Sequence, residues 1–386
     1  MKRMNRLTEL MQGFVEKGPA GCACSVSKEG ELLYQDYAGY ANLERREPIT
    51  EDTVYRIFSM TKVVTCAAAL ILYERGRFLL NDPLHEYLPD FKNPQVFVPD
   101  SLEALSTVEA KRPIRVKDLF AMTSGLTYGG ERTETERRVK QWLEGSRQRA
   151  EKLDARSLSR ALAAIPLAFE PGTRWQYGFS HDVLGALIEV ISGRTLGQFM
   201  QEEIFGPLGM KDTSFKLTAE TQGRLCTHYN RAEDGTLTPS TQFDEPYGPD
   251  SRFESGGAGL LSTIGDYSRF AQMLALGGEW NGERILSSGT VRLMAANQLS
   301  PVQLQDYNWS YLEGFGYGLG VRTLMDPEAA GSNASVGEFG WSGLAGTWVM
   351  IDPKEKLSAV YMQQMLPNFE AVHQPRLRNV IYGALQ

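Results

Sequence analysis

Ser59-Met60-Thr61-Lys62-Val63-Val64-Thr65-Cys66-Ala67-Ala68-Ala69-Leu70-Ile71-Leu72 turns apolar on every face once Lys62 is passed. A helix built from this stretch has no side to give to water and must lie inside the fold. Ser59 therefore stands at a buried helix start, where serine is a common cap. Lys62 does not fit a purely capping design, because a cation in the first turn opposes the positive end of the helix dipole. Residues three apart share a helix face, which puts the Lys62 amine within reach of the Ser59 hydroxyl. Desolvation and the dipole both favour the neutral amine, the form a general base needs.

A second S-x-x-K match, Ser25-Val26-Ser27-Lys28, runs along a strand, where positions three apart point to opposite faces, so its serine and lysine do not meet. No serine has glycine at both offsets of a G-x-S-x-G elbow, which excludes that hydrolase architecture. The four histidines are His85, His181, His228 and His373. Of these only His181 lies near a second motif, and a polar residue in the first turn of a helix needs no catalytic role. Cys22, Cys24, Cys66 and Cys226 include no C-x-x-C pair, and Cys226 with His228 does not amount to a zinc pattern, so no metal is expected.

Outward from this helix, Cys22 to Val26 and Leu32 to Tyr40 read as a hairpin around Lys28-Glu29-Gly30. A helix from Leu7 to Val15 precedes it. Strand-like runs recur at Gly316 to Leu324, Gly337 to Trp341, Gly346 to Ile351 and Leu357 to Met362, followed by a helix from His373 to Leu385. The two chain ends are expected to share one antiparallel β-sheet flanked by the terminal helices. Between them the patterns are helical: Val116 to Ala121, Glu131 to Leu153, Ser157 to Ile165, Val183 to Ile191 and Leu196 to Phe205. The predicted fold is thus α+β, with residues 1–85 and 250–386 forming the sheet domain and 86–249 an inserted all-helical domain, with a cleft at the seam.

The 386 residues are 42% hydrophobic and 23% charged, close to soluble globular averages, which excludes disorder and fibrous architectures. A net charge of −7 with scattered Lys and Arg points to small-molecule partners and away from nucleic acid. Residues Met1 to Lys17 interleave charges with single apolar residues and lack the apolar core of an export signal. The apolar stretch Val63 to Leu72 is far shorter than the ~20 residues that span a bilayer. These features predict a cytoplasmic protein with no membrane partner. They do not determine its oligomeric state.

Ser59-Met60-Thr61-Lys62 with its apolar helix, Thr123-Ser124-Gly125-Leu126, Tyr177 followed by Asp182-Val183-Leu184-Gly185, Ser255-Gly256-Gly257 and Trp341-Ser342-Gly343 together resemble the serine β-lactamase-like superfamily. The likeness is nearest to the family VIII carboxylesterases, relatives of class C β-lactamases. It covers nearly the whole chain, with the motifs in the family's order. It implies a β-lactamase or penicillin-binding transpeptidase-like fold and no cofactor. It also implies Ser59 as acylated nucleophile, Lys62 as its base and Tyr177 as a second base that shuttles protons. The oxyanion hole implied is the backbone N–H of Ser59 and of Leu344, with Gly343 letting the strand edge approach substrate.

Two departures bear on substrate. Phe179 stands where the β-lactamases carry an asparagine that orients the amide, and Trp341 stands where they carry the lysine that pairs with a substrate carboxylate. The second change forfeits an interaction of ~1.5–3 kcal/mol. The expectation is a hydrolase for neutral, small-molecule esters with Trp341, Phe179, Tyr128 and Trp348 as apolar walls. The loop from Gly235 to Glu254 is expected to line the cleft. β-Lactamase, D-amino-acid peptidase and acyltransferase activities are the alternatives on the same scaffold, and a ligand-binding homologue without catalysis is a further one.

Overall fold

Glu29 and Gly30 sit at positive φ, 54° and 91°, the backbone sense of a tight hairpin turn. They join β1 (Gly21–Lys28) to β2 (Glu31–Asn42), which pair antiparallel with a bulge between Val26 and Ser27. A short β3 (Glu47–Pro48) closes this edge. From the other end of the chain come β4 (Phe315–Tyr317), β5 (Arg322–Leu324), β6 (Phe339–Ser342), β7 (Trp348–Asp352) and β8 (Leu357–Gln363). In this computed structural model, which describes residues 4–98 and 106–385, the sheet runs β4-β5-β6-β7-β8-β1-β2-β3. β8 lies antiparallel to β1, from Cys22 opposite Gln363 to Lys28 opposite Leu357, so the two chain ends do share one antiparallel sheet. The run Gly316 to Leu324, expected as one strand, is two. Gly320 turns the chain at φ 84° against Cys66, where a Cβ would overlap the thiol.

Helices α1 (Asn5–Lys17), α2 (Thr61–Glu74), α3 (Ser180–Ser192), α4 (Ile264–Ala275) and α5 (Glu370–Ala384) frame the sheet and the site. Strand alternation sorts the side chains into two layers. Cys22, Cys24, Val26, Trp348, Met350, Ala359 and Tyr361 pack against α1 and α5. Ala23, Phe339, Trp341, Val349, Ile351 and Val360 face the opposite layer, which holds α2, α3 and α4. Trp348 is therefore not a wall of the cleft. It pairs with Ser342 across β6–β7, so it shares the face of Ser342 rather than that of Trp341, and it is fully buried beside Arg322 and Arg378.

Residues 86–249 are not all-helical as expected: helices alternate with long loops and two short ladders, Gln95–Phe97 with Thr107–Glu109 and His228–Arg231 with Leu237–Ser240. The apolar core under the sheet continues without a break into this segment through Leu119, Phe120, Val183 and Leu187. α5 begins at Glu370 rather than His373, which brings Glu370 into its first turn. All four cysteines are buried and free. Among the described residues no helix is long and apolar enough to cross a membrane.

Candidate active site

Ser59 lies in a tight turn, Phe58–Met60, that feeds directly into α2. The turn is held from several sides. Ile57 N–H donates to the Leu260 carbonyl at 3.1 Å, the Tyr267 hydroxyl to Met60 O at 2.9 Å, and Leu260 N–H to Thr61 Oγ1 at 3.0 Å. Phe58 takes φ 44°, a conformation costly for a bulky side chain and tolerated where packing over-determines it. Here its ring packs edge-on against Phe243 at 5.1 Å. That contact brings the Gly235 to Glu254 loop against the serine turn.

Lys62 is fully buried. Its Nζ donates to Ser59 Oγ at 3.1 Å, to the Tyr128 hydroxyl at 3.1 Å and to the Gly257 carbonyl at 2.6 Å. Three acceptors match the three hydrogens of an ammonium. Burial does push the amine towards its neutral form, but Tyr128, Tyr177 and Asp182 outweigh it and hold the group above the ordinary lysine value. That direction is opposite to the one helix position and burial alone predict. Burial in turn pushes the Tyr128 phenol up.

Asp182, in the first turn of α3, organises the acceptor that sequence reasoning left without a role. Its Oδ1 accepts from Ser255 Oγ at 2.5 Å and Gly257 N–H at 3.2 Å, while Thr65 Oγ1 donates to Gly256 O at 2.7 Å. The Ser255-Gly256-Gly257 loop is clamped between α2 and α3 so closely that a Cβ on Gly257 would strike the Asp182 carboxylate. The clamp aims the Gly257 carbonyl at Lys62. Burial raises Asp182 above the usual aspartate range.

Tyr177 accepts a bond from Trp341 Nε1 at 3.0 Å, and the Lys62 Nζ lies 4.6 Å from its ring centroid. Its loop is anchored by Gln176 N–H to Met122 O at 3.0 Å, beside Thr123-Ser124-Gly125-Leu126, whose Ser124 bonds Ser180 at 2.9 Å. Tyr128 packs edge-on against Tyr177 at 5.6 Å and Phe179 at 4.7 Å. The structure thus gathers Ser59, Lys62, Tyr128, Tyr177, Phe179 and Trp341. It adds Trp309, 5.6 Å from Tyr177 and 6.2 Å from Trp341, which no local pattern distinguishes from any other loop tryptophan. His181 is buried in the core, its Nε2 on Phe120 O at 3.1 Å, and its value is lowered to about 3 by burial. It stays neutral and apart from Ser59.

The turn after β6 abuts the serine turn. Thr347 Oγ1 donates to Ile57 O at 3.1 Å and Gly343 N–H to Thr347 O at 2.7 Å. A Cβ on Gly343 would overlap the Ile57 carbonyl and the Thr347 hydroxyl. Leu344 follows, 45% exposed, and its N–H has no acceptor among the described residues.

The sequence model of the Beta-lactamase family matches residues 7–382. Protein Rv1367c of Mycobacterium tuberculosis is 33% identical over 354 residues, 90% of this chain and 86% of that protein. Esterase EstB of Burkholderia gladioli is 28% identical over 402 residues, covering 96% of this chain and 93% of its own. The solved structure of EstCE1, a hydrolase with promiscuous acyltransferase activity, superposes with a TM-score of 0.83 over 99% of this chain and 98% of that one, a likeness of fold at 23% identity. With the match running through almost the whole sequence and a relative at 33% identity beside it, the chain belongs to the Beta-lactamase family.

Proposed function

We propose that the protein is a serine carboxylesterase of the family VIII type, acting on small carboxylic esters through an acyl-enzyme at Ser59. The observation that carries this reading is the contact of the buried Lys62 Nζ with Ser59 Oγ at 3.1 Å beside Tyr177. Ser59 Oγ attacks the ester carbonyl carbon, and its proton passes to the Lys62–Tyr177 pair, one member of which must be deprotonated at that moment. The N–H groups of Ser59 and Leu344 hold the developing oxyanion. Collapse breaks the bond to the alcohol oxygen, which receives a proton from the same pair. Water then repeats the sequence on the acyl-enzyme and releases the acid.

The walls support an apolar substrate. Trp341, Phe179, Tyr128 and Trp309 supply aromatic faces, and Trp309 also borders a cavity of about 520 Å³ lined in part by Leu304, Leu312, Phe315 and Met325. Acyl transfer to an alcohol would use the same acyl-enzyme, and the fold shared with EstCE1 favours it as the second reading.

Ser59→Ala is expected to abolish both hydrolysis of a p-nitrophenyl ester and covalent labelling by a serine-directed phosphonate, with thermal unfolding nearly unchanged. Intact-mass analysis after brief exposure to the ester reads the acyl adduct directly. Turnover at the wild-type rate in the alanine variant would move the nucleophile elsewhere.

A further inference from the structure

We propose that Glu370 is a specificity-determining residue that filters substrates by charge, so that this esterase selects cationic over neutral over anionic esters. The inference rests on the esterase reading above and adds the charge class of its substrate. Its basis is the open edge of β6. β5 pairs with β6 only through Gly340 and Phe339, which leaves Trp341 and Ser342 without a strand neighbour on that side. Glu370, in the first turn of α5, stands at this gap. Its carboxylate accepts from Ser342 Oγ at 2.8 Å, from the Tyr311 hydroxyl at 3.0 Å and from Gln374 Nε2 at 3.3 Å.

Each flank of that carboxylate connects to the site through one residue. The Tyr311 ring stacks on Trp309 at 6.1 Å, and Trp309 touches Tyr177 and Trp341. On the other side, Asn368 links Glu370 to the expected oxyanion turn, donating through Nδ2 to Leu344 O at 3.0 Å and accepting from Glu370 N–H at 3.0 Å. Ser342 follows Trp341 in the chain with its side chain on the other face of β6, so the carboxylate borders the site at the strand's open edge and connects to it through Tyr311 and Asn368. Its hydrogen-bond partners are all neutral, and among the described residues it forms no ion pair. The buried Arg322 and Arg378 are engaged instead with Glu338, at 3.7 Å and 3.1 Å.

An unneutralised, half-buried carboxylate beside aromatic walls is poorly screened. It attracts a cationic arm of a substrate and repels an anionic one. Trp341 already lacks the charge that would hold a carboxylate; Glu370 adds a charge at the edge of the site that repels one. That is discrimination by repulsion as well as by lost attraction.

The test is a pair of substrate panels in which charge is varied at near-constant shape. One places it in the leaving group: acetylthiocholine, its tert-butyl isostere with carbon in place of the ammonium nitrogen, and the thioacetate of mercaptopropionate. The other places it in the acyl group: p-nitrophenyl esters of betaine, of its tert-butyl isostere and of succinate. In at least one panel wild-type kcat/KM should rank cationic, neutral, anionic with about tenfold between the extremes, compressed by added salt. Glu370→Gln should level the ranking to within about twofold and Glu370→Lys should invert it. Glu370→Asp and Tyr311→Phe, which keep the charge, should preserve it even if stability falls. Hydrolysis with no charge ranking in either panel, or a ranking that survives Glu370→Gln, overturns the charge filter and leaves the esterase reading standing. No hydrolysis above the Ser59→Ala level in both panels takes down the esterase reading, and this inference with it.

Discussion

Lys62 shows how a side chain's chemistry can be named from its neighbours in sequence while its charge is set by neighbours in space. The i, i+3 spacing brings its amine to Ser59, yet Tyr128, Asp182 and the Gly257 carbonyl reach it from elsewhere in the chain. Asp182 is the residue through which that arrangement is most exposed to test. Asp182→Ala removes the acceptor of Ser255 Oγ and Gly257 N–H, and a buried donor left unpaired costs about 1–3 kcal/mol. The expected result is a loss of about 2–4 kcal/mol in urea unfolding together with at least a tenfold fall in ester turnover, as the Gly257 carbonyl drifts from Lys62. Asp182→Asn keeps an acceptor oxygen and should recover most of the stability. The motif Asp182-Val183-Leu184-Gly185 was legible as part of a family pattern, but the role of Asp182 was not, because its partners lie in the Ser255 to Gly257 loop.

Two turns, Phe58–Met60 before α2 and Gly343-Leu344 after β6, meet at the Ile57 carbonyl. Each is shaped by steric exclusion: Phe58 is held at positive φ by its packing, and Gly343 by the lack of room for any side chain. Gly343→Ala must push one turn from the other. If the Leu344 N–H serves the oxyanion, kcat should fall by about a hundredfold, the measured scale for losing one such donor. Steady-state kinetics on a p-nitrophenyl ester reads this, and an unchanged kcat would take the turn out of the mechanism. The glycine's importance was readable as a close backbone approach, whereas the identity of what it approaches was not.

The core beneath the sheet is continuous with that of the helical segment, and it encloses ionisable groups that only a fully folded chain can keep neutral. His181 is the clearest. Burial lowers it to about 3 from an ordinary 6.5, so between those values the unfolded chain binds a proton that the folded protein refuses. Its contribution is fully present above 6.5 and is lost as pH falls towards 3, at up to about 1.4 kcal/mol per pH unit. Urea unfolding at about pH 7 and about pH 5 should therefore show a shallower loss of stability on acidification in His181→Asn than in the wild type. Equal losses in the two proteins would mean that His181 titrates normally in the folded state.

What the order of residues settled by itself was local: a helix too apolar to face water, a serine and a lysine one turn apart at its start, a hairpin at Glu29-Gly30, and the absence of an elbow or zinc pattern. Those follow from spacing, propensity and steric limits that act within a few residues. Tertiary structure alone decided that Trp348 faces α1 and α5, that Trp309 joins the aromatic wall, that the Lys62 amine meets three acceptors, and that Glu370 stands at the open edge of β6. Each depends on groups far apart in the chain being brought within a few ångströms, where burial and Coulomb interaction acquire the strength to choose a face, a partner or a protonation state.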